Sequence, residues 1–304
     1  MKLLHLGNVV IDLVLTVDDL PGRGGDVIAS STATTPGGGF NVMAAAVRLG
    51  LPVGYGGAHG TGPFGDLART ALAEAGIDVL QPISPGLDTG FVVTLVEDDG
   101  ERTFITSRGA ESTLTTADLD RVKPGPGELV YLSGYGLMHP SNRAALVPWL
   151  GRIPDDVQVY VDPGPLGHQV PPDDLAVVLA RADWWSCNER EAFDLTGLAS
   201  AHEAARALLE RTGRQGVVVR LGPRGCLLAV RDAEPELVPG FKVEAVDLNG
   251  AGDAHAGAFL ASLAAGLAPT TAATRANAAA AFAVTRRGPA TAPTSTELNA
   301  FLTT

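Results

Sequence analysis

Cysteine is nearly absent from this chain. Only two occur in 304 residues, Cys187 and Cys226, and they form no CxxC pair. A disulfide framework and a cysteine-type zinc site are therefore excluded, and a reducing compartment, the cytoplasm, is the expected location. We expect both thiols to be packing residues of the core.

Basic residues are also scarce. Lys and Arg together number 22 against 34 Asp and Glu, which gives a formal net charge of -12, and no basic cluster is visible. A protein that neutralises phosphates needs clustered Lys and Arg, so neither nucleic acid nor an anionic membrane surface is an expected partner.

Long apolar runs are missing as well. No segment approaches the length of a membrane span. The stretch from Leu3 to Leu15 is apolar, but Asp12 interrupts it and no small-residue cleavage pattern follows. We interpret it as a pair of strands and not as a signal peptide.

What the chain does contain is a regular alternation of two patterns. Short runs rich in β-branched residues are typical of buried strands, and helical segments separate them. This rhythm predicts an α/β fold whose mostly parallel sheet is covered by helices on both faces, with ligands beyond the carboxyl ends of the strands. The predicted strands are Leu3–Leu6, Val9–Val17, Val53–Ala58, Glu128–Leu132, Val157–Val161, Asp183–Ser186 and Val217–Leu221; the predicted helices are Val42–Leu49, Asp66–Ala75, Ser141–Leu150, Asp173–Ala182, Glu189–Leu195, Ala201–Thr212, Pro269–Val284 and Ser295–Leu302.

A second, smaller sheet is predicted beside the main one. Thr89–Glu97 and Glu101–Ser107 have strand patterns and are joined by Asp-Asp-Gly at 98–100, a strong hairpin signal. With a strand at Val27–Thr34 they would form a sheet too small to stand alone, so it should lie over something. Arg102 is interpreted as a solvated strand residue, with contact to a substrate as the alternative.

The segment from Val246 to Phe259 carries the strongest chemical signal. A Gly-Ala-Gly turn comes directly before Asp253 and a helix of small residues. The first amides of a helix lack intrahelical acceptors, so Gly250, Ala251 and Gly252 could hold an anion, with Asp253 as general base. The structural alternative is that Asp253 only caps the helix.

A second glycine-rich segment precedes another helix near the N-terminus. Gly38, Gly39 and Asn41 stand immediately before Val42–Leu49. Asn41 is either a helix cap or a ligand contact. Asp12, a carboxylate inside an apolar strand, must be paired or face a site.

Gly60 to Gly65 formally matches GxGxxG, which raises the possibility of a nucleotide-dependent oxidoreductase. The signal is weak, because Pro63 lies inside the pattern and no acidic residue ends a second strand about 20 residues later.

Taken together, these motifs resemble the ribokinase-like (PfkB-type) carbohydrate and nucleoside kinase family over essentially the whole chain. The second signature of that family is matched by Asp247, Gly250, Ala251, Gly252 and Asp253, and the first by Gly38, Gly39 and Asn41. Leu248 stands where the family usually has Thr, and Gly62 where it usually has Asp. No GxxxxGK[ST] P-loop occurs, so phosphoryl transfer would depend on the Gly-Ala-Gly turn.

The resemblance implies a three-layer α/β/α fold with a mostly parallel central sheet and a small β-sheet lid. The core would comprise residues 1–14, 36–87 and 109–304, and the lid residues 15–35 and 88–108. In many relatives the lid also pairs with a second subunit, so a homodimer through the lid is expected.

The resemblance also implies roles for individual residues. Asp253 would be the general base and Gly250, Ala251 and Gly252 the anion hole; Asp12, Gly38, Gly39 and Asn41 would bind the sugar; Asn188, Arg220, Gly222, Gly225 and Asn277 would line the nucleotide site; Asn188 and Glu191 would hold Mg²⁺ through water; and Asp247 with the backbone at Arg287 would form a site for a monovalent cation such as K⁺. Leu248 puts activation by that cation in doubt.

The implied function is ATP-dependent phosphorylation of a hydroxyl on a small sugar or sugar-like substrate. A nucleoside kinase of the same family and a non-catalytic relative that binds a sugar or nucleoside are the alternatives. Ribose, fructose-type sugars, keto-deoxy sugar acids and nucleosides all remain candidate acceptors.

Overall fold

A computed structural model describes residues 1–97 and 101–303. The strands are β1 (Leu3–His5), β2 (Val9–Thr16), β3 (Ser31–Gly38), β4 (Val53–Tyr55), β5 (Asp78–Val79), β6 (Phe91–Val96), β7 (Arg102–Ser107), β8 (Leu129–Ser133), β9 (Gln158–Asp162), β10 (Trp184–Asn188), β11 (Gly216–Arg220), β12 (Gly225–Val230) and β13 (Glu236–Pro239). The helices are α1 (Gly39–Arg48), α2 (Pro63–Glu74), α3 (Thr116–Leu119), α4 (Gly134–Met138), α5 (Pro140–Leu150), α6 (Pro172–Arg181), α7 (Glu189–Thr196), α8 (Ala201–Thr212), α9 (Ala251–Ala264), α10 (Pro269–Val284) and α11 (Ser295–Phe301). The predicted hairpin turn at 98–100 lies outside the described residues.

The main sheet confirms the predicted mostly parallel arrangement. Its strand order is β13-β12-β11-β10-β9-β8-β1-β4-β5, and all neighbouring pairs from β11 to β5 are parallel. β12 pairs antiparallel with both of its neighbours, β11 and β13, so among the described strands of this sheet it alone is reversed. β5 and β13 were not predicted because these edge strands are short and mostly exposed, so they lack an apolar pattern.

Helices cover both faces of this sheet. On β10, Trp185 packs into one apolar cluster and its neighbour Trp184 into the other, because successive strand residues point to opposite faces. The Trp184 ring meets Phe259 of α9 edge-on, with ring centroids 5.1 Å apart. Burying a large apolar side chain stabilises a fold by about 1.5–3 kcal/mol, so these two layers hold the sheet in place.

The cysteines are buried free thiols, as predicted. Burial raises the pKa of Cys187 well above its usual range and that of Cys226 to about 12. Both are therefore protonated packing residues without thiolate reactivity.

The small sheet has the order β3-β2-β6-β7. β3 begins at Ser31, later than the predicted strand at Val27–Thr34, and continues through Pro36 to Gly38. Proline is tolerated there because β3 is an edge strand, which needs no donor on its outer side. Strand pairing thus extends into residues 9–14 and 36–38, beyond the predicted lid boundaries; the division into core and lid remains a prediction.

One buried carboxylate ties together the two chain segments that lead into and out of the small sheet. Glu111 accepts hydrogen bonds from the amides of Gly90 at 2.7 Å and Gly109 at 2.8 Å. Glu111 therefore holds these two segments together at the point where the small sheet joins the rest of the fold. Among residues 1–97 and 101–303, no helix combines the length and apolarity needed to cross a membrane.

Candidate active site

The turn before α9 is shaped by a glycine that no other residue replaces easily. Gly250 precedes the first helical residue with φ 76°. A Cβ at this position would lie 1.9 Å from the carbonyl oxygen of Pro289. The first-turn amides of α9 have no acceptor within the helix, although that of Ala251 makes a long contact, 3.4 Å, to the carbonyl of Leu248. This end of α9 is suited to an anion.

Asp253 is the third residue of α9, so it is not the helix cap that the structural alternative required. Its Oδ2 accepts a hydrogen bond of 3.2 Å from Nδ2 of Asn41. Asn41 lies inside α1 and is not a cap either; its Oδ1 is buried without a partner among the described residues. An unpaired buried acceptor beside a carboxylate favours a ligand hydroxyl at this position.

The electrostatics around Asp253 suit proton transfer. Burial raises the pKa of Asp253 to about 7; the negative charges of Asp162 and Asp12 add to this, while the Asn41 hydrogen bond and the Arg220 guanidinium oppose it. The side chain nevertheless stays partly exposed. A carboxylate that titrates near neutrality and remains accessible can accept a proton from a substrate.

The predicted substrate residues converge on the same region. Asp12 on β2 is half-buried, and burial raises its pKa to about 6. Its carboxylate has room only because Gly37 on the paired strand lacks a side chain; a Cβ there would lie 2.1 Å from Oδ2. Gly38 has φ 60°, and a Cβ on Gly39 would lie 2.1 Å from the His5 ring. Gly37 and Gly39 therefore make room for neighbouring protein groups, and the backbone at Gly38 remains exposed.

Comparison with known proteins decides the family. The family described as pfkB family carbohydrate kinase matches residues 1–297. The uncharacterized sugar kinase YegV of Escherichia coli (strain K12) is 35% identical over 301 residues, covering 96% of this chain and 91% of the relative. An ATP-dependent ribose-1-phosphate kinase of Halopiger xanaduensis is 30% identical, covering 99% of this chain and 98% of the relative.

This chain belongs to the pfkB family of carbohydrate kinases. A solved structure agrees: aminoimidazole riboside kinase from Salmonella enterica, complexed with aminoimidazole riboside and an ATP analog, superposes with a TM-score of 0.83 and 26% identity, covering 99% of this chain and 100% of that one. The predicted family and fold are thus confirmed, and the protein is a phosphotransferase of the sugar kinase type.

In this pfkB kinase a charged cluster lies beside the amide turn, at the carboxyl ends of β9, β10 and β11. Nη1 of Arg220 donates to Asp162 at 2.8 Å and to Ser186 at 2.7 Å, and Nη2 lies 3.6 Å from Glu191. A Cβ built on Gly252 would be 3.8 Å from the Arg220 guanidinium. The cluster therefore adjoins the predicted anion site.

Glu191 and Asn188 form a reciprocal helix cap at the beginning of α7. The Asn188 side chain accepts from the amide of Glu191, and the Glu191 carboxylate accepts from the amide of Asn188, both at 2.8 Å. Burial raises the pKa of Glu191, with repulsion from Asp162 adding to it and Arg220 opposing it. Their role at a magnesium ion stays a prediction.

The other residues predicted to line the nucleotide site differ in their surroundings. Gly222 has φ 60° and opens onto free space, whereas Gly225 has φ 100° and is packed against the carbonyl of Val238. Asn277 is buried, and its Nδ2 donates to the carbonyls of Val238 at 3.0 Å and Pro239 at 3.2 Å. Asn277 holds α10 to β13 in this structure; its contact with a nucleotide stays a prediction.

The GxGxxG pattern is not a dinucleotide site. Both Phe64 and Gly65 donate their amides to the Asp88 carboxylate, at 3.2 and 2.7 Å. The beginning of α2 is therefore already neutralised by an internal acid, and a pyrophosphate would be repelled. The oxidoreductase alternative is rejected.

Two residues needed by the site were not assigned from the sequence. Asp162, the last residue of β9, was given no role from the sequence, yet it pairs with Arg220. Arg102 was wrongly interpreted as a solvated strand residue; its Nη2 lies 2.5 Å from Oδ1 of Asp247. No local pattern signals either contact, because each joins segments that are distant along the chain.

Proposed function

We propose that this chain catalyses the ATP-dependent phosphorylation of a hydroxyl group on a small sugar or sugar-like molecule. The observation that supports this most strongly is the contact between Asn41 and Asp253 at the first turn of α9. It joins both family signatures at one partly exposed carboxylate, next to amides that have no acceptor within their helix.

Asp253 is the general base of this proposal. With a pKa of about 7, a substantial fraction of its carboxylate is ionised at neutral pH. It takes the proton of the acceptor hydroxyl as the acceptor oxygen attacks the γ-phosphorus of ATP; the bond from that phosphorus to the β,γ-bridging oxygen breaks, and ADP leaves. Asn41 holds the carboxylate in position, and its free Oδ1 accepts a hydrogen bond from the acceptor.

Gly250, Ala251 and Gly252 stabilise the phosphoryl group in transit. Amides fixed by the turn and by the helix need no reorganisation when negative charge develops on the phosphoryl oxygens. The positive end of the α9 dipole acts in the same direction. Arg220, held beside Gly252 by Asp162, adds a fixed positive charge.

The residues present fit a magnesium ion bound mainly through water. Asn188 Oδ1 and Glu191 Oε2 each accept an amide hydrogen bond in the helix cap, so these residues would hold the ion through its water shell and not as direct ligands, which suits a small cation that keeps much of its hydration shell. Among the described residues no group of three or more His, Cys, Asp or Glu side chains could enclose a metal ion, so a closed protein cage is absent. When bound, Mg²⁺ would neutralise charge on the phosphates.

Asp12, Gly38, Gly39 and Asn41 bind the acceptor. Carboxylate and amide oxygens with backbone at close range suit a molecule rich in hydroxyl groups. The relatives named as acting on ribose 1-phosphate and aminoimidazole riboside direct attention to furanose-type acceptors, free or with a base attached.

The small sheet is proposed to cover the acceptor and to pair with a second copy of the chain. Phe104 and Ile105 on β7 are 61% and 60% exposed. Neighbouring strand residues point to opposite faces, so both faces of the sheet carry an uncovered apolar residue. Light scattering of the protein and of Phe104→Asp tests this; a monomer at all concentrations would contradict pairing.

An acceptor panel scored for ADP release tests the function. Furanoses, fructose-type sugars, keto-deoxy sugar acids and nucleosides are each mixed with ATP and Mg²⁺, and the Asp253→Asn variant serves as the inactive control. ADP release that requires both an acceptor and Asp253 supports the proposal. Tight acceptor binding in calorimetry without any ADP release would indicate the non-catalytic alternative.

A further inference from the structure

An ion pair fastens the small sheet to the segment that leads into the amide turn. Arg102 is the first residue of β7, and its Nη2 lies 2.5 Å from Oδ1 of Asp247. Both side chains are largely removed from solvent, at 25% and 16% exposure. Gly250, the first residue of the turn, comes three residues after Asp247. The ion pair therefore connects the small sheet to the segment that carries the turn.

Asp247 is already supplied with hydrogen-bond donors. Oδ1 also accepts from the amide of Asn249 at 2.9 Å, and Oδ2 accepts from the amide of Gly288 at 3.0 Å. Burial alone would raise the pKa of Asp247, but the Gly288 amide, Arg102 and the Asn249 amide together lower it. The carboxylate is ionised, and its negative charge is balanced by protein groups.

These surroundings do not fit a monovalent cation. Such an ion needs several oxygen ligands that are free to turn toward it, whereas the Asp247 oxygens are engaged by donors. Leu248, beside it, brings no side-chain oxygen and is 70% exposed. The backbone near Arg287 does contact Asp247, but the contact is made by the Gly288 amide, whose N–H group would repel a cation.

We propose that Arg102 supplies the fixed positive charge at Asp247 in place of a monovalent cation, so that phosphoryl transfer in this protein needs no K⁺. This inference rests on the proposed function. A guanidinium group is permanently charged and can bind a carboxylate with directed hydrogen bonds, so it holds the loop before the turn without an exchangeable ion. Because Arg102 belongs to β7, the same contact sets the position of the small sheet over the turn.

The first test compares cations in the unaltered enzyme. Turnover is measured in KCl and in tetramethylammonium chloride at equal ionic strength, since the larger ion cannot enter a tight oxygen site. We expect the rates to agree within about twofold. Activation by K⁺ of more than about fivefold would overturn the inference.

The second test removes the guanidinium. Arg102→Met should lower kcat by about tenfold, the range for losing a hydrogen-bonded charge, and Arg102→Lys should retain most of kcat. Added guanidinium or K⁺ should partly restore Arg102→Met, which loss of structure alone would not allow. Arg23→Met, which removes an exposed charge from the segment between β2 and β3, is the matched control and should behave as wild type. Unchanged kcat in Arg102→Met would contradict the proposal.

A third readout does not depend on turnover, so it separates this inference from the proposed function. The thermal unfolding midpoint is measured in the same two salts. K⁺ should leave the wild-type midpoint unchanged but raise that of Arg102→Met by about 2 °C or more, because a vacated carboxylate can then bind the ion. If K⁺ raised the unfolding midpoint of both proteins equally, or of neither protein, replacement of the ion by Arg102 would be contradicted. Absence of ADP release with every acceptor would refute the kinase proposal but not this result.

Discussion

Nδ2 of Asn41 lies 3.2 Å from Oδ2 of Asp253, although 212 positions separate them in the sequence. The contact depends on close packing of α1 against α9: a Cβ on Gly257 would lie 2.5 Å from the Cβ of Ala45. Small residues on both helices thus let their first turns meet. The two glycine-rich segments therefore form one site.

Asp253→Asn should retain acceptor binding and lose at least about 10²-fold in kcat, the range expected for removing a general base. The amide has nearly the same size and keeps a polar contact with Asn41, so the fold should persist. Single-turnover ADP formation and calorimetric acceptor binding are the measurements. Asp173→Asn, an exposed acid in the first turn of α6, is the control; near-normal kcat for Asp253→Asn would refute the assignment.

The rate should depend on pH through Asp253. Only the ionised carboxylate accepts a proton, and burial raises its pKa to about 7, so kcat/KM should rise with pH up to about 7 and level off above it. An aspartate with an ordinary pKa would place the rising limb of this pH profile near pH 4. A flat profile from about pH 5 to 8 would contradict a role for a perturbed acid.

Arg220→Gln should move the same limb to higher pH. The Arg220 guanidinium favours the ionised form of Asp253, so its removal raises the pKa of the acid further. Arg206→Gln, on the exposed side of α8, controls for loss of one positive charge and should leave the limb in place. A limb that moves to lower pH in Arg220→Gln would contradict the electrostatic argument.

The sequence predicted the features that depend on local pattern. The parallel strands are mainly apolar runs such as Val217–Leu221, which only Arg220 interrupts, and both glycine-rich turns are visible because glycine marks close backbone approach. Pairs such as Arg102 with Asp247 and Arg220 with Asp162 were not predicted, since an ion pair between distant segments leaves no periodic trace.

Helix capping shows a different limit of sequence interpretation. Asn41 and Asp253 are both residue types that commonly cap helices, so the sequence left structural and chemical roles open. In the structure glycines occupy both cap positions, Gly38 and Gly250, which frees the two polar side chains to meet. The two glycines have positive φ values, which tertiary contacts fix, and for this reason the cap positions go to them and not to Asn41 and Asp253.

Gly250→Ala and Gly252→Ala should have opposite effects on stability. The first forces a Cβ against the Pro289 carbonyl at positive φ and should destabilise the protein by about 1–3 kcal/mol or more. The second adds a methyl group within α9 at an ordinary van der Waals distance, 3.8 Å, from the Arg220 guanidinium, and should stabilise the protein by about 0.5–1 kcal/mol. Yet Gly252→Ala should lower kcat, because the methyl group enters the space proposed for the phosphoryl group. Urea unfolding and steady-state rates measure the two effects; wild-type kcat in a stabilised Gly252→Ala would show that this space is not used.

Gly37→Ala tests the acceptor side. The added Cβ would lie 2.1 Å from Oδ2 of Asp12, so the carboxylate must turn away from its present position. We expect the KM for the acceptor to rise by about tenfold or more, the scale of effect that small misplacements of a positioning group produce, while the KM for ATP stays unchanged. Gly22→Ala, on the connection between β2 and β3 with no atom within 4 Å of the added Cβ, is the matched control. Equal acceptor KM values in the two variants would mean that Asp12 does not hold the acceptor.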